Sequence, residues 1–183
     1  QDVLTDAGGT DTITFAGETL GLQATISAAG LSVTDGTNLL TVNGAGIENL
    51  LGSQADDVFR FSDGASLSGT LDGREGQNVL DFSTSTTTRT FTLSAQGSLN
   101  GFKGTVSGAL PTGFDNISGL VGSSAGDSLL GLNQNADWNL NDAGNTYSSG
   151  GRTLSFAGIE NLNGGSGNDV FHLIGAGSLA GNL

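Results

Sequence analysis

The pentapeptide Gly46-Ile47-Glu48-Asn49-Leu50 returns unchanged as Gly158-Ile159-Glu160-Asn161-Leu162. Each copy runs on to a Gly, an Asp and an aromatic: Gly52, Asp57 and Phe59 in the first, Gly164, Asp169 and Phe171 in the second. A looser third copy reads Ile117, Leu120, Gly122, Asp127, Leu129. Upstream of each lies a second signature, an apolar residue four positions before a Gly, at Ile26/Gly30, Leu93/Gly97 and Leu140/Gly144. Matched blocks of this kind mean a repeat architecture, in which each unit buries its apolar face only against its neighbours.

Apolar anchors fall at Leu4, Ile26, Ile47, Leu67, Leu93, Ile117, Leu140, Ile159 and Leu179, in steps of 19 to 26 residues. Turn positions Asp11, Asp57, Asn78, Asp127 and Asp169 are spaced by about one or two such steps. Within a unit, Val58-Phe59-Arg60-Phe61, Val79-Leu80-Asp81-Phe82 and Val170-Phe171-His172-Leu173 alternate as half-buried strands do. The expectation is an all-β, right-handed parallel β-helix (a β-solenoid) of about 8 coils of roughly 20–25 residues each, the hand following the rule for parallel crossovers. Ile47, Leu50, Phe59, Leu120, Leu129, Ile159, Leu162 and Phe171 are expected in its interior, Arg60 and Asp81 outside. Residues 1–183 read as one continuous segment of a longer array, in units of roughly 5–71, 72–132 and 133–183.

Composition agrees. Gly makes up 32 of 183 residues and Pro only 1, while 36% are hydrophobic, which suits short strands, tight turns and a backbone fully used in ladders. The formal net charge of −13 repels phosphate backbones and anionic lipid, so neither nucleic acid nor membrane insertion is expected. Cysteine is absent, which excludes disulfides and thiol chemistry and fits an exported protein that does not rely on thiol oxidation. Residues 177–183 match residues 65–71, and residues 6–13 resemble the continuation of that internal copy, residues 72–80. Both ends therefore read as interior pieces of an array, and head-to-tail stacking with further segments or copies is the expected partnership.

Gly164-Gly165-Ser166-Gly167-Asn168-Asp169-Val170-Phe171-His172 fits the repeats-in-toxin nonapeptide G-G-x-G-x-D-x-U-x in full. The longer stretch from Asp137-Trp138 to Phe171 is similar to repeats of very large bacterial surface proteins of the filamentous haemagglutinin and calcium-binding adhesin kinds. This resemblance implies a parallel β-helix, an extracellular or cell-surface address, and a structural or adhesive role. It also implies Ca²⁺ held between turns by Asp carboxylates and Gly carbonyls, which makes Gly165, Gly167, Asp169, Asp57 and Asp127 the candidate ligands. Hard oxygen donors in a Gly-rich turn suit that ion. The residues alone allow a second reading, in which Asp57, Asp127 and Asp169 cap turns by accepting backbone N–H bonds.

Other residues carry weaker signals. Asn49 and Asn161 could line a carbohydrate-binding face, but stacking between coils is their expected use. Trp138 and Tyr147, the sole residues of their kinds, are expected in packing rather than on a sugar. His172 has no second His or Cys for a transition metal. Asn116-Ile117-Ser118 fits the glycosylation pattern at an expected core position. The run Ser83–Thr88 reads as a solvated loop. Arg60, Arg74, Arg89, Lys103 and Arg152 form no dense constellation with carboxylates, so no catalysis is expected. The functional expectation is a structural shaft or filament segment, with a calcium-tuned or carbohydrate-binding adhesion module as the alternative.

Overall fold

The computed structural model describes residues 2–5, 8–44, 46–175 and 181–182. They form two sheets and no helix. Sheet A holds eleven strands: β1 (Asp2–Thr5), β3 (Gln23–Ser27), β4 (Gly30–Thr34), β5 (Leu39–Asn43), β7 (Val58–Phe61), β9 (Val79–Asp81), β13 (Gly119–Val121), β15 (Ala136–Asn141), β16 (Asn145–Ser149), β17 (Arg152–Ala157) and β19 (Asp169–Ile174). Sheet B holds eight: β2 (Thr12–Thr14), β6 (Asn49–Leu51), β8 (Leu71–Asp72), β10 (Thr90–Gln96), β11 (Phe102–Val106), β12 (Leu110–Ile117), β14 (Ser128–Leu130) and β18 (Asn161–Asn163). The chain alternates between the sheets, and strands of successive coils pair in parallel. The fold is a β-solenoid.

The expected coil count is corrected. Six passages through sheet B enclose about five turns, not eight. The reason is that three passages are antiparallel three-stranded meanders: β3–β4–β5 and β15–β16–β17 in sheet A, β10–β11–β12 in sheet B. Ile26, Leu93 and Leu140 lie in the first strand of each, and Gly30, Gly97 and Gly144 at the hairpin after it. The apolar-to-Gly signature therefore marks hairpins rather than coil corners. Gly30 and Gly144 turn with φ of 135° and 132°, a region that favours glycine. A plain coil advances 21 residues, from Asp57 to Asn78, whereas coils with a meander advance 33 to 38. The pairing pattern of β1 to β7 recurs in β13 to β19, so one structural period contains a meander in each sheet.

Alternation does place the core as the sequence implies. Ile47, Leu50, Phe59, Leu120, Leu129, Ile159 and Leu162 are buried, and Phe171 is partly buried against them. Ala24, Phe59, Leu80, Leu120 and Phe156 pair in one column, and Ile13, Leu50, Leu71 and Phe114 in another. Arg60 lies on the outer face and forms an ion pair with Asp81 at 2.8 Å. The stretch 177–180 and Leu183, on which the expected match to residues 65–71 rests, lie outside the described residues.

Candidate functional site

At five coil corners the residue just before a strand donates its backbone N–H to an acidic or amide side chain one coil further on. Beside sheet A, Leu22 donates to Asp57 Oδ1 and Asp57 to Asn78 Oδ1. Beside sheet B, Arg89 donates to Asp127 Oδ1, Asp127 to Glu160 Oε2, and Asp11 to Glu48 Oε2. These five bonds measure 2.5–3.0 Å. Asp57 also accepts from the Ser53 N–H and hydroxyl, and Asp127 from the Ser123 N–H, so each carboxylate ties its own turn to the preceding coil. Both side chains are fully buried. Burial pushes the Asp57 carboxyl above the usual carboxylate range, although Ser53 and Leu22 donors pull it down.

The repeated Glu-Asn dipeptide completes the grip. The Asp11 carbonyl accepts from the Glu48 and Asn49 N–H groups, and the Asp127 carbonyl from those of Glu160 and Asn161. Asn49 Nδ2 and Asn161 Nδ2 donate to the same two carbonyls. The Asn oxygens face the next coil: Asn49 Oδ1 accepts from the Thr70 N–H, and Asn161 Oδ1 from the Asn182 N–H. Asn49 and Asn161 thus stack between coils. Sequence reasoning identified the Asp, Asn78 and Asn positions but missed Glu48 and Glu160 as acceptors. Their signal was available, since both copies of the pentapeptide carry Glu at the same place.

The five candidate calcium ligands are not brought together. Asp57 precedes β7, Asp169 opens β19, and Asp127 precedes β14 in the other sheet. Among the described residues no three acidic or imidazole groups share a site. Ca²⁺ takes 6–8 oxygens, whereas Asp57 and Asp127 already direct theirs at N–H donors. Gly165 and Gly167 have a packing reason to be glycine. A Cβ on Gly165 would press on the Leu132 carbonyl, and one on Gly167 would collide with that of Gln134 in the preceding coil. Gly165 also turns with a φ of 87°. Asp169 differs from its counterparts in that Oδ1 is buried without a hydrogen-bond partner. One such oxygen is not a cage, and the residues present do not fit a resident calcium ion.

The remaining candidates are structural. Trp138 and Tyr147 are fully buried with ring centroids 4.5 Å apart, and the Tyr147 hydroxyl accepts from the Leu132 N–H at 2.9 Å. Asn116, 1% exposed, sits at φ 60° and accepts from the Leu99 and Asn100 N–H groups while donating to Asp72. A sequon asparagine held this way is closed to glycosylation in the folded chain. The Ser-Thr run links β9 to β10, and Ser85, Thr86 and Thr87 converge on Asp63, holding its carboxyl well below the usual range. His172 lies 3.5 Å from Asp137 on the outer face.

Comparison with family models, with curated proteins and with solved structures returns no match.

Proposed function

We propose that this chain is a structural shaft segment of a secreted or cell-surface fibre or adhesin stalk, of the filamentous haemagglutinin and repeats-in-toxin kind. The observation that supports this reading is the use made of the acidic side chains. Asp57, Asp127, Glu48 and Glu160, four of the five repeated acids of a chain with net charge −13, direct oxygens at backbone N–H groups of the coil before. Groups that could bind a ligand or move a proton instead hold coil to coil. What such a segment offers is length and stiffness: eleven strands at about 4.8 Å each span roughly 48 Å along sheet A. The net negative charge then keeps the shaft soluble and repels anionic surfaces.

Electron microscopy of tandem copies tests this. Two copies in series should give a rod about twice as long and no wider, with no saturable binding on a glycan array. A globular particle, or a glycan bound at one stoichiometric site, would overturn the shaft reading in favour of an adhesion module.

A further inference from the structure

Between β1 and β7 sheet A holds three strands, whereas between β2 and β8 sheet B holds only β6. The link from β5 to β6 therefore slants past the β3–β4 hairpin. A pocket of about 170 Å³ opens between that link, the hairpin and the turn after β7. Its wall is Ile26, Leu31, Val42, Ile47 and Leu67, none more than 9% exposed. No charged side chain among the described residues lines it. Polar groups at its rim already have partners: the Ser27 hydroxyl accepts from the Ala29 N–H and donates to the Gly30 carbonyl, and the Gly44 N–H donates to the Ala29 carbonyl. A buried water needs about 2–4 free polar partners, so space walled in this way favours an apolar guest. Strands β1 and β9 lie beyond it on either side, so the coils that form it each have a neighbour.

The repeat does not require this pocket. Strands β15–β17 reproduce the pairing of β3–β5, with Leu140, Asn145, Phe156 and Ile159 at the places of Ile26, Leu31, Val42 and Ile47. There a phenyl ring, set edge-on to Trp138, stands where Val42 has two methyls, and Asn145 turns away to accept from the Asn141 N–H. The link is shorter too: Phe156 to Ile159 takes three steps, Val42 to Ile47 five. A smaller side chain, an all-aliphatic wall and a longer link are thus particular to the first meander. We propose that this pocket is a binding site for a small neutral apolar molecule, a hydrocarbon group of about the size of benzene. A dry apolar cavity of about 150 Å³ takes up benzene in the same way.

Methyl NMR of the 183-residue chain titrated with benzene tests the site. The Ile26, Leu31, Val42, Ile47 and Leu67 methyls should shift together and saturate, while those of the buried Leu80, Leu120 and Leu129 stay in place. Val42→Phe, which imports the residue of the second meander, should keep the fold and lose the response. If the added ring overpacks the chain and unfolds it, Ala28→Trp decides instead. Ala28 is exposed at the rim, its Cβ 3.9 Å from where a Cβ on Gly64 would lie, so an indole there covers the mouth without entering the core. Wild-type methyls that do not shift, or that shift without saturating, would overturn the proposal. A response unchanged in the folded variant would place benzene elsewhere and overturn it as well. No outcome touches the shaft reading, which rod length in tandem copies decides separately.

Discussion

Phe61 and Phe82 stack with ring centroids 4.9 Å apart and planes 13° from parallel, one coil above the other. Phe82 in turn meets Phe91 edge-on at 5.5 Å. The interior is thus a file of side chains, each wedged between the coil before and the coil after. Truncating one opens a gap that its neighbours cannot close without moving whole coils. Phe59→Ala, at a position with 0% exposure, should cost about 3–5 kcal/mol in urea unfolding. Leu173→Ala, at an open edge, should cost less than about 1 kcal/mol. Equal losses at both sites would contradict the assignment of interior and edge.

The corner bonds make a second expectation. Asp57→Ala leaves the Leu22 and Ser53 N–H groups buried without an acceptor, and each such group costs about 1–3 kcal/mol. Asp57→Asn keeps one oxygen and should fall between wild type and alanine. If Asp57→Ala unfolds at the wild-type urea midpoint, the corner bonds hold nothing.

Opposing carboxylates give the pH profile its shape. Asp57 has its folded pKa raised by burial, so its ionised form is the costly one, and stability rises as pH falls through that pKa toward the unfolded aspartate value of about 3.9. Asp81 and Asp115 behave in the opposite way. Burial raises each, but Ser83 with Arg60 and Ser98 with Lys103 outweigh it and leave both lowered. Their stabilisation is complete above the unfolded aspartate value of about 3.9 and is lost as pH falls below it. Urea midpoints should therefore peak in mildly acid solution and drop below pH about 4. Asp57→Asn should remove the rise, and Asp81→Asn part of the drop. A profile unchanged by either variant would contradict these assignments.

Calcium should leave the melting temperature unchanged, with or without chelator, because the Asp57 and Asp127 oxygens are already engaged. A rise of several degrees on adding the ion, abolished by Asp169→Ala, would show that the Asp169 turn recruits donors absent from its present geometry.

The legible part of this fold was the part with a short period. Alternation put Phe59, Phe61, Leu80 and Phe82 inside because side-chain direction along a strand depends only on the next residue. Coil number was not legible in that way. A hairpin strand and a coil strand bury their apolar residues alike, so Ile26, Leu93 and Leu140 entered the coil period though they belong to meanders. A local signal did exist: Gly150-Gly151, both at positive φ between paired Ser149 and Arg152, is the composition of a two-residue hairpin. The corners were half legible. Asp and Asn at turn positions announce a cap, but which N–H they cap depends on a coil 21 to 38 residues away. Glu48 and Glu160 carried no such announcement, because nothing nearby in sequence needs them.

Amide hydrogen exchange at the corners tests the central claim, that acidic and amide side chains fasten successive coils by accepting these corner N–H groups. The Leu22, Asp57, Arg89 and Asp127 amides should exchange as slowly as those in the middle of β7 and β13. Asp127→Ala should release the Arg89 amide while leaving the distant Leu22 amide protected. Fast exchange at all four in the wild type, or an Arg89 amide still protected in the variant, would contradict the account.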